Sequence, residues 1–307
     1  MKNQQTAVLG AGLMGHGIAL TLARAGQYVA LTDPVPEALA TAPDRIAESM
    51  KVLGAGEKEI ARALKKIELC DSVATAVKDA AFVFEAAPEK LPLKQAIFAE
   101  VEGHAPEAAI LASNTSVIQI GKIVGGLKTR HRALGTHWWN PPHMIPLVEV
   151  IRTEWTDAAA MDAMVALLAD AGKTPVRVEK DVPGFIGNRL QHALWREAIS
   201  LVEHGICDAE AVDTVIKSCF GRRLAVLGPL ENADLVGTDL TLDIHENVLA
   251  DLDSRPGPSP YLEQLVRDGK LGMKTGEGFR KWTPEEADAV RRKVATHLAR
   301  LETILDD

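Results

Sequence analysis

Two residues in the stretch GTHWWNPPHMIPLVEVI, His137 and Glu149, have the chemistry needed to exchange a proton with a bound molecule. His137 ends one strand-like segment, Glu149 lies in the next, and a short proline-rich connection can bring their side chains together. A histidine whose second nitrogen is bonded to a carboxylate has a fixed tautomer and a stabilised cation, which suits a general acid–base. A histidine in a strand is also commonly a satisfied core residue, and spacing alone does not separate these interpretations.

A second polar group lies upstream, in the stretch ASNTSVIQI, where an apolar strand ends. Ser113, Asn114, Thr115 and Ser116 supply three hydroxyls and an amide at a position where α/β sheets bind ligands. The same residue types also cap helices, so N-capping of the following helix is the alternative.

The stretch LGAGLMG contains Gly10, Gly12 and Gly15 between a short apolar strand, TAVLG, and a segment of helical periodicity, HGIALTLARAG. This order predicts a βαβ dinucleotide site that includes Leu13 and Met14. Gly10 permits the tight turn, Gly12 lets a pyrophosphate approach the backbone, and Gly15 lets helix and strand pack closely. Free N–H groups at the helix N-terminus attract the phosphates. A structural glycine turn in another α/β protein is the alternative.

Asp33 ends the next strand, YVALTD, 18 residues after Gly15. A carboxylate there accepts hydrogen bonds from the adenosine ribose hydroxyls and repels a 2′-phosphate, and no arginine follows at once in DPVPEAL. The sequence therefore predicts NAD rather than NADP, and with it a dehydrogenase that needs a base for an alcohol proton. Asn114 is a further candidate for cofactor binding.

Strand patterns alternate with helical ones up to Asp181–Pro183, and only helical patterns follow. This order predicts an α/β fold: a Rossmann-type, doubly wound, mainly parallel sheet over residues 1–182, then an all-α C-terminal domain over residues 183–307. Helices are expected at 184–206, 208–219, 231–250, 259–268 and 283–305, the last beginning with Thr283 as N-cap and Pro284.

The composition is typical of a globular protein, with 47% hydrophobic and 25% charged residues. A net charge of −8 disfavours nucleic acid as the main partner, and the absence of a long apolar run disfavours a membrane span. We expect no targeting leader, because polar MKNQQ runs directly into the first strand. Cys70, Cys207 and Cys219 have no metal-like spacing, which predicts reduced, buried thiols, no metal site and a cytoplasmic location.

Several segments together resemble the L-3-hydroxyacyl-CoA dehydrogenase family, in the family's order and over essentially the whole chain. They are GAGLMGHGIA, FEAAPEKLPLK, ASNTSVIQI, THWWNPPHMIPLVEV, KDVPGFIGNRL and GKLGMKTGEGF. The resemblance implies an N-terminal NAD domain, a helical C-terminal domain that forms a homodimer, and a role in fatty acid metabolism on short L-3-hydroxyacyl thioesters.

The resemblance also implies site roles. His137 matches the catalytic base, Glu149 its carboxylate partner, Ser116 the hydroxyl that holds the substrate oxygen, and Asn188 the amide that polarises this oxygen from the second domain. Three further matches are Glu89 and Lys94, which line the nicotinamide ribose site in the family, and Ser49, which contacts CoA there.

The chain departs from the family pattern in two places, and these leave the substrate open. After Ser49 the lysine cluster that grips CoA is thin: Lys51 remains, and Lys58, Lys65 and Lys66 are more typical of a solvated helix face. In the loop HWWNPPHMIP, Trp138 and His143 are candidate substrate contacts, with a core tryptophan and a surface histidine as the alternatives.

Because of these departures, two further hypotheses stand beside that of a thioester dehydrogenase. The loop is similar to that of the pyridine-carboxylate dehydrogenase of vitamin B6 degradation, so a small free hydroxy acid or aromatic aldehyde–carboxylate is one alternative substrate. A non-catalytic structural protein is the other, and retention of His137, Glu149, Ser116 and Asn188 together argues against it.

Overall fold

A computed structural model describes residues 3–305 and contains one sheet of eight strands within that range. The strands are β1 Gln5–Leu9, β2 Tyr28–Thr32, β3 Ile67–Cys70, β4 Phe82–Glu85, β5 Ile110–Ser113, β6 Ala133–Trp138, β7 Leu147–Ile151 and β8 Thr174–Val178. Their order across the sheet is β3-β2-β1-β4-β5-β6-β7-β8. All neighbours are parallel except β6 and β7, so the predicted mainly parallel sheet is confirmed.

Helices cover both faces of this sheet, and this confirms the doubly wound fold. They are α1 Gly15–Arg24, α2 Pro36–Ala40, α3 Ala42–Val52, α4 Glu57–Leu64, α5 Val73–Val77, α6 Leu91–His104, α7 Ile120–Val124 and α8 Ala158–Asp170. Ile18, Ile46 and Met164 belong to one apolar core, and Phe98 and Ile123 to another.

The strand β1 divides its side chains between these two cores. Val8 points into the first core, whereas Ala7 and Leu9 point into the second. Side chains alternate along a strand, so a parallel strand that is covered on both faces is apolar at nearly every position. The apolar runs AVL in β1 and FVF in β4 have this cause.

The described residues form two compact units. The first comprises the chain up to Arg189 together with the residues from Leu298 onward, and the second is Leu190–His297. The remaining helices are α9 Gly187–Glu203, α10 Ala209–Ser218, α11 Pro229–Val236, α12 Thr238–Val248, α13 Pro260–Arg267 and α14 Pro284–Leu305.

Two local features of these helices follow from their residues. The helix expected over 231–250 is divided into α11 and α12 at Gly237, which has a φ of 104° that favours glycine. The expected start of α14 is confirmed: Thr283 Oγ1 accepts from the Glu286 N–H, and Glu286 accepts from the Thr283 N–H.

Candidate active site

His137 and Glu149 face each other directly across the antiparallel pair β6 and β7. The distance between His137 Nδ1 and Glu149 Oε2 is 2.7 Å, and both side chains are buried. The other carboxylate oxygen, Oε1, accepts hydrogen bonds from the backbone N–H groups of Ile186 and Gly187 at 2.8 and 3.1 Å. A buried carboxylate therefore has partners for both of its oxygens, as burial of a charge requires.

The charge of Glu149 fixes the tautomer of His137. Burial disfavours the ionised carboxylate, but hydrogen bonds from His137, Gly187 and Ile186 outweigh this effect and hold the pKa of Glu149 below its ordinary value. An ionised carboxylate only accepts hydrogen bonds, so His137 Nδ1 must carry its hydrogen. Nε2 is consequently the nitrogen that can take a proton from a bound molecule.

Two aromatic rings flank the His137 imidazole. The centroid of the Trp139 indole lies 5.1 Å from that of the imidazole, and that of Phe185 lies 5.6 Å from it. Trp139 also packs against Gly187, where an added Cβ would lie 2.4 Å from the indole Cζ2. The absence of a side chain at Gly187 thus lets the indole close on the histidine.

A cavity of about 320 Å³ opens at this histidine, and seven of the predicted site residues line it: Met14, Glu89, Asn114, Ser116, His137, Trp138 and Asn188. Asn188 Nδ2 donates to the Ser116 carbonyl at 2.9 Å, which fixes the amide beside the Ser116 hydroxyl. Its second N–H is left for a ligand. Asn188 lies beyond the predicted domain boundary at residue 182 and belongs to the first compact unit.

Glu89 holds the loop that carries Ser116. Its Oε1 accepts from the Thr115 hydroxyl and from the N–H groups of Ser116 and Val117, both at 3.2 Å. Burial would raise the pKa of Glu89, but these hydrogen bonds and the Lys94 ammonium hold it below its ordinary value. Glu89 is therefore an ionised anchor for the loop.

Lys94, which the resemblance assigns to the nicotinamide ribose, is held by carboxylates. Its side chain is fully buried, with Nζ 2.7 Å from Glu85 Oε1, 3.1 Å from the Ala87 carbonyl and 3.6 Å from Glu89 Oε2. A buried ammonium needs such anionic partners, and Lys94 is not among the residues that line the cavity. Glu85, which the sequence reasoning missed, also accepts from the Ser113 hydroxyl at 2.6 Å.

The glycine-rich loop has the geometry that its spacing predicts. Gly10 has a φ of 107°, and a Cβ there would lie 2.8 Å from the Ala86 carbonyl oxygen. A Cβ at Gly15 would lie 1.7 Å from the Gly10 carbonyl oxygen, so only glycine fits. A Cβ at Gly12 would meet nothing within 4 Å. Open space beside bare backbone is what an approaching pyrophosphate requires.

The residues around this loop fit a dinucleotide. Met14 is the N-cap of α1 and makes no side-chain hydrogen bond to the first turn, while the Leu13 side chain is exposed. The carboxylate of Asp33 accepts from the Ala11 N–H at 2.7 Å and from the Val35 N–H at 2.8 Å. These bonds fix the carboxylate at the end of β2 beside the loop, and its oxygens retain capacity for ribose hydroxyls.

The two tryptophans differ in their surroundings. Trp138 borders the cavity, but its indole is only 2% exposed, belongs to the apolar core and contacts Phe84 edge-on. Burial of Trp138 favours the alternative of a core tryptophan, and Trp139 is the ring beside the histidine. Neighbouring residues of a strand face opposite sides, so the cavity-facing His137 forces the Trp138 side chain into the core.

His143 and Ser49 lie near the start of α1. The ring centroids of His143 and His16 are 6.2 Å apart, and the Ser49 hydroxyl is 3.5 Å from His16 Nε2. His143 is half-buried rather than a surface loop residue, and burial, then the charges of His16, Lys173 and Arg24, lower its pKa to about 4. It is therefore neutral near pH 7 and does not attract a carboxylate by charge.

Comparison with known families decides the identity. Residues 5–182 match the 3-hydroxyacyl-CoA dehydrogenase NAD binding domain, and residues 184–282 match the C-terminal domain of the same family. The chain belongs to the 3-hydroxyacyl-CoA dehydrogenase family. It is an NAD-dependent oxidoreductase, as the glycine-rich loop and Asp33 predict.

Individual relatives of this dehydrogenase cover almost its whole length. The 5-formyl-3-hydroxy-2-methylpyridine 4-carboxylate 5-dehydrogenase of Mesorhizobium japonicum is 35% identical, over 98% of this chain and 97% of the relative. A probable 3-hydroxybutyryl-CoA dehydrogenase of Bacillus subtilis is 37% identical, over 91% and 97%. The crystal structure of a dehydrogenase for the same pyridine carboxylate, described as an NAD⁺-dependent dismutase, has a TM-score of 0.91 at 34% identity, covering 100% of this chain and 99% of that one.

The structure of this dehydrogenase also gives information on membrane-spanning helices, on metal sites and on the exposure of the cysteines. Within residues 3–305, no helix has both the length and the apolar character needed to cross a bilayer. Across the same described part, no three His, Cys, Asp or Glu side chains are grouped to hold a metal ion. Cys70 is buried as expected, whereas Cys219 is exposed.

Proposed function

We propose that this enzyme transfers a hydride between the C3 hydroxyl carbon of a short L-3-hydroxyacyl thioester and NAD, a reaction of fatty acid metabolism. The observation that carries the proposal is the buried His137–Glu149 pair, which leaves Nε2 as the proton acceptor at a cavity lined by Ser116, Asn188 and Met14. The proposed base, the two residues proposed to hold the substrate oxygen, and Met14 of the glycine-rich loop therefore border the same cavity.

The cofactor contacts follow from the residues that fit a dinucleotide. We assign the pyrophosphate to Gly10, Gly12, Leu13, Met14 and Gly15, and the adenosine ribose to Asp33. Glu89 and Asn114, which line the cavity, are assigned to the nicotinamide side. NAD, when bound, supplies a two-electron acceptor for hydride.

The chain's own residues manage the proton and the oxygen. In the oxidation direction, His137 Nε2 takes the hydroxyl proton as the C3–H bond gives up its hydride, and the alcohol becomes a carbonyl. The imidazolium that forms is stabilised by ionised Glu149 at 2.7 Å. In the reduction direction, the imidazolium returns the proton to the oxygen, and Nδ1 keeps its hydrogen throughout.

Ser116 and Asn188 hold the reacting oxygen. Their hydroxyl and amide N–H groups border the same cavity as Nε2, and a donor aimed at developing negative charge contributes roughly 2.7–4 kcal/mol in comparable sites. The amide of Asn188 is already oriented by the Ser116 carbonyl, so no reorganisation is needed when charge develops.

A second candidate function is the same chemistry on a small free hydroxy acid or aromatic aldehyde–carboxylate. Two of the four lysines considered for CoA already contact other groups of the chain: Lys51 lies 3.4 Å from Glu48, and Lys66 donates to the Gly26 carbonyl at 2.8 Å. CoA is a polyanion, so loss of local cations weakens its binding. The bulky Trp139 beside His137 and the M. japonicum relative favour a flat, small substrate.

Absorbance of NADH at 340 nm separates the two candidates. Acetoacetyl-CoA with NADH is compared with a panel of free hydroxy acids and pyridine aldehyde–carboxylates with NAD. The thioester hypothesis predicts the highest kcat/KM for acetoacetyl-CoA. Activity confined to free acids would establish the second candidate, and activity on neither group would contradict both.

We further propose that residues 1–182 bind NAD and residues 183–307 form the substrate and dimerisation domain of a cytoplasmic homodimer. The second compact unit exposes many large apolar side chains, among them Ile206 at 69%, Val226 at 72%, Leu230 at 80% and Leu235 at 72%. Such a surface is typical of an obligate interface between subunits. Light scattering that gives the mass of one chain at micromolar concentration would contradict the dimer.

A further inference from the structure

The segment from Asp181 to Asn188 contacts three parts of the proposed site. Near its end, the N–H groups of Ile186 and Gly187 donate to Glu149, and Asn188 Nδ2 donates to the Ser116 carbonyl. Between them, Phe185 packs its ring against His137 and has a φ of 51°, which is uncommon outside glycine. The segment therefore contacts both the proposed base, His137, and the proposed oxygen-holding residue, Ser116.

Asp181, at the start of the segment, binds the loop that carries Ser116. Its Oδ1 accepts from the Ile120 N–H at 3.0 Å and its Oδ2 from the Gly121 N–H at 2.7 Å. The Gln119 side chain in turn donates to the Asp181 carbonyl at 3.0 Å. Residues 119–121 directly follow the Ser116 loop and begin α7, so a carboxylate from 60 residues downstream fixes where that loop ends.

Two carboxylates therefore hold the Ser116 loop from opposite ends. Glu89 binds the N–H groups of Ser116 and Val117, and Asp181 binds those of Ile120 and Gly121. The two carboxylates differ in which other part of the proposed site they contact. Glu89 borders the cofactor side of the cavity, whereas Asp181 belongs to the segment that also holds Glu149 and hence His137.

We propose that Asp181 is a positioning residue that sets the separation between the Ser116 hydroxyl and His137 Nε2. The proposal rests on the roles of Ser116 and His137 under Proposed function. Hydride and proton transfer need the reacting oxygen held near both groups at once, and a misplacement of about 1 Å can cost about 100-fold in rate. Asp181 touches neither substrate nor cofactor in this scheme, and acts through the loop.

Variants of Asp181 separate this role from simple helix capping. Asp208 is a matched control, because its Oδ1 accepts from the Ala211 N–H at 2.7 Å at the start of α10, in the second compact unit. We expect Asp181→Ala to lower kcat by about 10- to 100-fold, with the NADH Kd within about two-fold of the wild type and the shape of the pH profile kept. Asp208→Ala is expected to lower Tm by about as much as Asp181→Ala does, because both remove a carboxylate that accepts from helix N–H groups. It is expected to leave kcat unchanged.

Gly121 allows a milder perturbation of the same contact. A Cβ at Gly121 would lie 3.3 Å from Asp181 Oδ2, whereas a Cβ at Gly126 would meet nothing within 4 Å. Gly121→Ala is therefore expected to lower kcat less than Asp181→Ala does, and Gly126→Ala to leave it unchanged. These variants, with Asp181→Asn, keep the test valid if Asp181→Ala does not fold.

Amide hydrogen exchange over residues 116–121 gives a readout that does not depend on the substrate. The proposal predicts faster exchange in Asp181→Ala and Asp181→Asn than in the wild type and the Asp208 variant. Wild-type kcat and exchange in Asp181→Asn would overturn it. If the wild-type enzyme turned over none of the tested substrates, the proposed function would fail, and hydrogen exchange alone would decide the role of Asp181.

Discussion

The glycine-rich loop and the loop after His137 both border the cavity, yet they are built in opposite ways. The first presents bare backbone, and a Cβ added at Gly12 meets no atom within 4 Å. The second presents side chains: the Trp139 ring, beside the hydrogen bond of 2.7 Å that joins His137 and Glu149 on the flanking strands. The side proposed to bind the cofactor depends on the absence of side chains, and the side proposed to bind the substrate depends on how side chains pack.

This difference determines which substitutions each loop tolerates. Backbone geometry is lost when any side chain is added at a close approach, whatever its chemistry. Side-chain geometry is lost when a partner is removed or displaced, even where the backbone is unchanged. The predictions below compare matched positions within each loop.

The largest effect is expected for Gly15→Ala in the cofactor loop. Its Cβ would lie 1.7 Å from the Gly10 carbonyl oxygen, so the turn must distort, at a cost of about 3 kcal/mol or more in the free energy of unfolding. Gly12→Ala should leave that free energy nearly unchanged. It should weaken NADH binding at least about ten-fold, because loss of one pyrophosphate contact worth about 1.4 kcal/mol raises Kd by that factor. Urea unfolding and NADH fluorescence titration measure the two effects, and equal losses of stability would refute the contrast.

The next effect, on stability at one position and on KM at its neighbour, is expected from the two tryptophans. Trp138→Ala removes a ring buried in the apolar core and should cost about 3–5 kcal/mol of stability. Trp139→Ala should cost less stability and change substrate KM more, because its ring lies beside His137. A Trp139 variant with wild-type KM for every substrate turned over would show that this ring does not shape the substrate site.

The smallest effect concerns His143 and pH. The pKa of His143 is lowered to about 4 from 6.5, so the unfolded chain binds the proton more tightly than the folded one. Stability that is present above pH 6.5 is therefore lost as the pH falls towards about 4. His143→Gln should lose less stability than the wild type between about pH 7 and 5 in urea unfolding. The exposed His131→Gln is the control, and identical pH dependence of all three proteins would contradict the account.

The sequence was sufficient where main-chain geometry or strand pairing dictated the result. Gly10 and Gly15 have the close backbone approaches that their spacing predicts, and His137 and Glu149 meet because adjacent antiparallel strands pair them. Burial of the Trp138 side chain was also predictable, since alternation along β6 points it away from the His137 side.

Other parts of the site could not be read from spacing. Lys94 lies nine residues from its partner Glu85, one on a helix and the other at a strand end. Their pairing depends on how α6 packs on the sheet, and so does the burial that removes Lys94 from the cavity. The only sequence signal was a carboxylate closing the apolar strand AFVFEAA, where an unpaired charge would be costly.

The most direct test of the account is the turnover of Glu149→Gln. The amide keeps an oxygen that can accept from Ile186 and Gly187, but its NH₂ can no longer hold a hydrogen on His137 Nδ1 or stabilise the imidazolium. We predict a fall in kcat of about 100-fold or more, with the NADH Kd unchanged. Wild-type kcat in this variant would show that the His137–Glu149 pair does not carry the proton.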